Sequence, residues 1–203
     1  MSHIVALEGV VHAGKSTTIS LMQEIKGISC ISEYIEFTES FPGFPKNKGD
    51  VLRAWKFFLD IELKRKCLVV DGFPAILDRS VLSVMAYNYA VSRFTNGKIN
   101  WLDVKVESLR KEGWLIPDIC IYFDISDKEV AKRHEMETGG YKTILLNNQF
   151  NSFIRDFYAN EVLRIFPSMS MFQINAHNSV EDVFLEVVSV VFTSQKLCNI
   201  IKR

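Results

Sequence analysis

Five short apolar runs recur along the chain, separated by longer stretches whose apolar residues follow helical spacing. The runs are His3-Ile4-Val5-Ala6-Leu7, Ile28-Ser29-Cys30-Ile31-Ser32, Phe73-Pro74-Ala75-Ile76-Leu77, Ile119-Cys120-Ile121-Tyr122-Phe123 and Met171-Phe172-Gln173-Ile174. Their length and the turn residues around them predict strands. Helices are predicted over residues 15–26, 51–70, 80–94, 101–112, 127–136, 141–166 and 180–197, with Gly27, Gly72, Gly113 and Pro167 as stops. Asp50 is the expected cap of the second helix, behind a proline- and glycine-rich loop over 41–49. Strands alternating with helices give an α/β fold: a three-layer, doubly wound parallel sheet of about five strands with helices on both faces. Gly139-Gly140 is the one weak point in the late helical region. With no repeat, low-complexity tract or linker, residues 1–203 read as a single domain.

Composition changes this picture little. Lys plus Arg equals Asp plus Glu, 24 of each, so no basic field favours nucleic acid and local cations must do any phosphate work. Cys30, Cys67, Cys120 and Cys198 are widely spaced, without a metal-site or disulfide pattern, and Cys120 sits in an apolar run as a small buried hydrophobe. The first strand begins at once, leaving no room for a signal peptide, and no stretch has the length of a membrane span. A reduced, cytoplasmic setting without membrane contact is the expectation.

The chemistry starts where the first strand ends. Gly9-Val10-Val11-His12-Ala13-Gly14-Lys15-Ser16 fits GxxxxGK[ST] between a strand and a helix, the context in which that pattern forms a phosphate-binding P-loop. The glycines let backbone N–H groups turn inward, and the helix after the loop adds its positive end. Lys15 brings a mobile charge to the β- and γ-phosphates, and the Ser16 hydroxyl is a Mg²⁺ ligand. A carboxylate near that ion must come from the end of a neighbouring strand. Asp71 and Asp78 are the candidates, and Asp78 is preferred because it ends a run that follows a helix stop. Arg79 beside it is placed to meet a transferring phosphoryl group. Asn47-Lys48-Gly49-Asp50 imitates a guanine-specificity tetrapeptide but lies in the early loop, where it serves as a helix start.

Leu7-Glu8-Gly9, Ala13-Gly14-Lys15-Ser16-Thr17, Asp78-Arg79-Ser80 with Ser83, Ala86-Tyr87-Asn88 and Pro117-Asp118 together resemble the thymidylate kinases, within the wider group of nucleoside and nucleoside-monophosphate kinases. The similarity runs through nearly the whole chain in order and spacing. It implies a P-loop NTPase fold, ATP as donor, Mg²⁺ as cofactor and phosphoryl transfer to a nucleoside monophosphate. The ATP contacts it implies are Gly9, His12, Ala13, Gly14, Lys15, Ser16 and Thr17, with Ser16 and Asp78 at the metal. Lys15, Arg79, Glu33 and Arg133 take the catalytic roles: Glu33 matches the base of nucleoside kinases, and Arg133 with Lys142 flanks a lid around 133–146. Glu33, Arg79, Ser83, Tyr87 and Asn88 fall on the acceptor side. Arg53 and Phe57 of the second long helix join them, and that helix carries three rings, Trp55, Phe57 and Phe58, of which one is expected to stack on a base. The partner is a small-molecule acceptor, with a homodimer as the candidate assembly.

The chain also departs from that pattern. Val11 stands where thymidylate kinases carry an acidic P-loop residue, and His12 replaces a basic one. The family's phosphate-binding arginine on the second long helix falls near Phe58, with Arg53 and Lys56 in neighbouring turns. Three alternatives stay open on sequence: a nucleoside in place of a nucleotide acceptor, another small molecule on the same frame, and a nucleotide-binding regulator without transfer.

Overall fold

The computed structural model describes residues 3–99, 105–138 and 143–201, without the side chains of Thr138 and of residues 194–201. Strands β1 (Ile4–Glu8), β2 (Ser29–Ile31), β3 (Ala75–Asp78), β4 (Ile119–Asp124) and β5 (Ser170–Asn175) form one sheet in the order β2-β3-β1-β4-β5. Every pairing is parallel. The predicted α/β class and strand number therefore hold. The near-continuous apolar strands follow from burial: all four residues of β3 and the first five of β4 are buried. Alternate residues serve different faces. Val5, Leu7 and Ile76 join the large cluster, whereas Ala6, Ala75, Leu77 and Ile31 join a smaller one closed by Leu115.

The helices are α1 (Lys15–Met22), α2 (Lys48–Lys66), α3 (Val81–Phe94), α4 (Val106–Glu112), α5 (Asp127–Thr138), α6 (Asn148–Asp156), α7 (Val162–Ile165) and α8 (Val180–Ile201). Several bounds differ from the sequence reading, each for a local reason. α1 stops at Met22, not at 26, because the chain tightens there into turns that end at Gly27, with φ +85°. α2 begins earlier than expected. Asn47 is its cap, and Asp50 at the third helical position returns the bond to complete a capping box. α2 also ends at Lys66 rather than 70, since Cys67, Leu68 and Val69 donate to carbonyls only three residues back. The apolar Leu68 and Val70 that extended the sequence pattern are exposed.

In the region 101–112, residues 101–104 lie outside the described residues and α4 covers the rest. The long helix expected over 141–166 is divided. Residues 141–142 are outside the described set, a single 3₁₀ turn covers Ile144–Leu146, and Asn147 caps α6. A wide i→i+5 turn over Phe157–Glu161 then joins α6 to α7. Such wide turns re-aim the side chains around them, and this one begins beside Tyr158.

The strand order puts a switch point at β1. The chain leaves β1 for β2 on one side and crosses from β3 to β4 on the other. Ligands of open α/β sheets bind at the carboxyl ends of strands at such a point. Glu8-Gly9, Asp78-Arg79 and Asp124 all stand at that edge. Among the described residues, no helix is long and apolar enough to cross a membrane.

Candidate functional site

The loop from Gly9 to Ser16 closes around its own lysine. Lys15 is buried, and its ammonium donates to the Val10 carbonyl oxygen at 2.8 Å. Burial first, and then the neighbouring Arg79 charge, push its pKa down to about 8, against the opposing pull of Asp78, Glu33 and Glu8. Gly9 is required here: it has φ +140°, and a Cβ would stand 2.9 Å from the Phe123 carbonyl oxygen. Gly14, at φ +96°, ends the loop as the cap of α1.

β1 and β3 pair with Leu7 opposite Asp78, which carries Asp78 to the P-loop. Ser16 Oγ donates to Asp78 Oδ2 at 2.8 Å, while the buried Asp78 Oδ1 has no partner. A hydroxyl beside an orphaned carboxylate oxygen, next to a phosphate loop, fits the oxygen ligand set of Mg²⁺. Among the described residues, no cluster of three or more His, Cys, Asp or Glu side chains forms an all-protein metal cage. Asp71, the other sequence candidate, lies in an exposed turn after α2.

Arg79 follows in the left-handed region at φ +62°, unusual for a residue with a side chain. Four contacts hold it there. Its N–H donates to the Leu7 carbonyl at 3.1 Å, its Nε to Glu33 at 2.5 Å, and an Nη to the Gly9 carbonyl at 3.0 Å and to Ser83 Oγ at 3.3 Å. Burial raises the pKa of Glu33, but the charges of Arg79 and Lys15 outweigh it and leave the carboxyl below its ordinary value. Glu33 is therefore an ionised carboxylate beside a buried cation.

Two residues that sequence reasoning left without a role hold this arrangement. Glu8, fully buried, receives four donors: the Ser80 N–H and hydroxyl on Oε1, and the Ser83 hydroxyl and Tyr158 phenol on Oε2. Burial still pushes its carboxyl above the ordinary range, against those bonds. Arg65 of α2 is also fully buried. Its guanidinium pairs with Glu62 at 2.8 Å and donates to the carbonyls of Asp78 and Arg79 at 3.0 and 2.8 Å. It also lies 4.4 Å over the ring of Tyr34, the neighbour of Glu33. The signal for Glu8 was its place at the end of an apolar strand one residue before the loop. Nothing distinguished Arg65 from the other basic residues of its last turn.

Next to the P-loop opens a cavity of about 370 Å³. Gly9, Val10 and Val11 form its inner edge, Arg79 and Glu33 its polar end, and Ser83, Tyr87 and Asn88 of α3 one wall. Phe41, Phe44 and Pro45 cover it from the loop before α2. Ala54 and Phe58 are the α2 residues that face it. Neither Arg53 nor Phe57 lines it. Arg53 and Phe57 are each one position earlier, about 100° away around the helix. Arg53 is exposed and paired with Asp50, and Phe57 packs on Phe41 and Phe58. An aromatic ring, Phe58, thus stands in the cavity wall at the place expected for a phosphate-binding arginine. Among the described residues Arg79 is the one cation that lines the cavity.

The side of the loop that faces α5 carries the remaining predicted residues. Arg133 of α5 donates to the His12 carbonyl at 3.3 Å and to the Ala176 carbonyl at 2.8 Å. His12, at φ +58°, bonds through Nδ1 to Glu137 at 2.7 Å and through Nε2 to His134 Nδ1 at 2.9 Å. Gly139, Gly140 and Lys142 lie outside the described residues. Ala13 is buried within the loop, and Thr17 is exposed on α1.

A P-loop at a sheet switch point, an aspartate and arginine ending the adjacent strand, and a cavity beside them define the fold of the P-loop kinases. Solved structures bear this out across most of the chain. Thymidylate kinase from Candida albicans superposes with TM-score 0.65 at 17% identity, covering 96% of this chain and 92% of that one. Deoxyadenosine kinase from M. mycoides, solved with dCMP and a flexible dCDP, gives TM-score 0.68 at 19% identity, covering 94% and 98%. The same enzyme with bound dATP gives 0.64 at 18%, covering 93% and 98%. At these identities the likeness is one of fold. No protein-family model and no curated protein matches the sequence.

Proposed function

We propose that the protein is an ATP- and Mg²⁺-dependent kinase whose acceptor is the hydroxyl of a nucleoside. The observation that carries this reading is the Arg79–Glu33 pair at the polar end of a cavity with no second cation among the described lining residues. A nucleoside monophosphate brings a phosphate that needs cationic partners. A hydroxyl acceptor needs a carboxylate to take its proton, and Glu33 is ionised.

Lys15, released from the Val10 carbonyl, would pair with the β- and γ-phosphates. Arg79 would spread the charge of the transferring group. The acceptor oxygen bonds to the γ-phosphorus as the bond to the bridging oxygen breaks. ADP leaves with that electron pair, and the hydroxyl proton passes to a Glu33 oxygen. Ser16 and Asp78 would hold Mg²⁺, which neutralises charge between the β- and γ-phosphates when bound. Glu8 and Arg65 act by position: they fix Ser80, Ser83 and the backbone that holds Arg79 in its strained conformation.

The nucleoside-monophosphate reading is second, supported by the likeness to the thymidylate kinase over 96% of the chain. A panel of nucleosides and nucleoside monophosphates, scored by acceptor-dependent ADP formation with Lys15→Ala as blank, tests the proposal. Glu33→Gln divides the two readings. With a hydroxyl acceptor it lowers kcat by roughly 10²–10⁴-fold, whereas with a phosphate acceptor turnover changes little. ADP formation independent of every acceptor, or ATP binding without turnover, would count against both.

A further inference from the structure

The wall of the cavity holds an unexplained polar group. Asn151 of α6 lines the cavity and is only 1% exposed, and neither the nitrogen nor the oxygen of its carboxamide has a partner. A buried amide left without bonds costs about 1–3 kcal/mol, and an asparagine kept for structure normally bonds to backbone. Asn151 does not, although its own backbone is an ordinary part of α6. Leucine would fill the same space without that cost.

Its place along α6 gives the group a use. Asn151, Ile154 and Tyr158 all line the cavity at helical spacing, and Tyr158 reaches Glu8 at the polar end. Seven residues at about 1.5 Å each put Asn151 roughly 10 Å along the wall from Tyr158, which is the length of a nucleoside lying with its sugar hydroxyl toward Glu33. Phe58 and Tyr87 supply aromatic surface to the same cavity.

We propose that Asn151 is the specificity residue that reads the base of the acceptor, by pairing its carboxamide with a donor and an acceptor on the base edge. The proposal rests on the nucleoside-kinase reading above. An amide presents one donor face and one acceptor face and can turn to exchange them. It therefore suits a ring nitrogen flanked by an amino group, as in adenine or cytosine, and a ring N–H flanked by a carbonyl, as in thymine or uracil. It rejects ligands that lack such an edge.

Binding of adenosine, cytidine, uridine and guanosine and their deoxy forms to the whole protein, with ATP binding and melting temperature measured in parallel, tests this. Asn151→Leu keeps the volume and removes the polar group. It is expected to weaken nucleoside binding roughly 10–100-fold, leave ATP binding within about twofold, and melt no lower than the parent. Asn151→Asp, when ionised, presents two acceptors side by side, the complement of the adjacent N1–H and N2 amino donors of guanine. It is expected to raise the preference for guanosine over cytidine by at least tenfold, a change that a purely structural asparagine would not produce. Unchanged nucleoside affinity in Asn151→Leu, or an unchanged base ranking in Asn151→Asp, would overturn the proposal while leaving the kinase reading intact. Parent protein that binds ATP but no nucleoside would overturn both.

Discussion

Replacing Lys15 by methionine should make the nucleotide-free protein more stable as it abolishes transfer. The buried ammonium has its pKa pushed from 10.5 to about 8, chiefly by burial. At neutral pH that displacement amounts to on the order of 3 kcal/mol of strain carried by the folded state. Methionine fills similar space but leaves the Val10 carbonyl without its bond, a loss of about 1 kcal/mol. The net gain is about 2 kcal/mol, which for a domain of this size raises Tm by about 4–8 °C.

The pH dependence follows from linkage. Between about 8 and 10.5 the unfolded chain binds the Lys15 proton and the folded chain does not. The parent therefore gains stability as pH rises through that interval, while the variant does not. The advantage of Lys15→Met is full below about pH 8 and disappears toward 10.5. Thermal unfolding of both proteins across pH 7–11 without nucleotide measures it, and the difference between them cancels the other alkaline titrations. A variant that melts at or below the parent at pH 7 would refute the reasoning, as would a gap that stays constant above pH 8.

Arg65→Ala should cost about 3–5 kcal/mol in denaturant unfolding, because Glu62 is left as an uncompensated buried charge; Arg65→Met with Glu62→Leu should recover much of the stability but not the activity, since the carbonyls of Asp78 and Arg79 remain unheld. Asp78→Asn keeps an oxygen for Ser16 but loses the charge at the ion, so the Mg²⁺ concentration for half-maximal transfer should rise roughly 10–100-fold, read by titration of ADP formation. Tyr158→Phe removes one donor from the buried Glu8 carboxylate and should cost about 1–2 kcal/mol in unfolding, without change in ATP affinity by calorimetry.

The sheet was legible because its strands are buried on both sides and so read as unbroken apolar runs. The P-loop was legible because its chemistry demands fixed residue types at fixed spacing. Helix ends were less so. Leu68-Val69-Val70 continues the apolar pattern of α2, yet the helix has ended, with Leu68 and Val70 exposed and Val69 packed on the smaller cluster, since periodicity does not report where a helix stops. The cavity wall was legible only as a cluster of rings: Trp55, Phe57 and Phe58 all fit the pattern of α2, and packing alone shows that Phe58 is the one that lines the cavity, since neighbouring positions differ by about 100° around the helix. Arg65 and Asn151 were invisible for a different reason. A basic residue in the last turn of a helix and a polar residue near the start of another are ordinary surface features until three-dimensional packing buries them.

The bond between Glu8 and Tyr158 joins residues 150 positions apart, and this sets the order in which the molecule becomes competent during synthesis. The phosphate loop and its lysine are synthesised before the other parts of the site. Ser80 and Ser83 reach Glu8 next, and β4 closes the other side of β1 afterwards. The wall carrying Asn151, Ile154 and Tyr158 arrives only after β4 and α5 have been made. Long-range contacts of this kind form late because their closure entropy must be met first. A nascent or truncated chain ending before α6 would hold the phosphate loop beside a cavity still open on the α6 side, so the enclosure of that cavity comes after the loop that it adjoins.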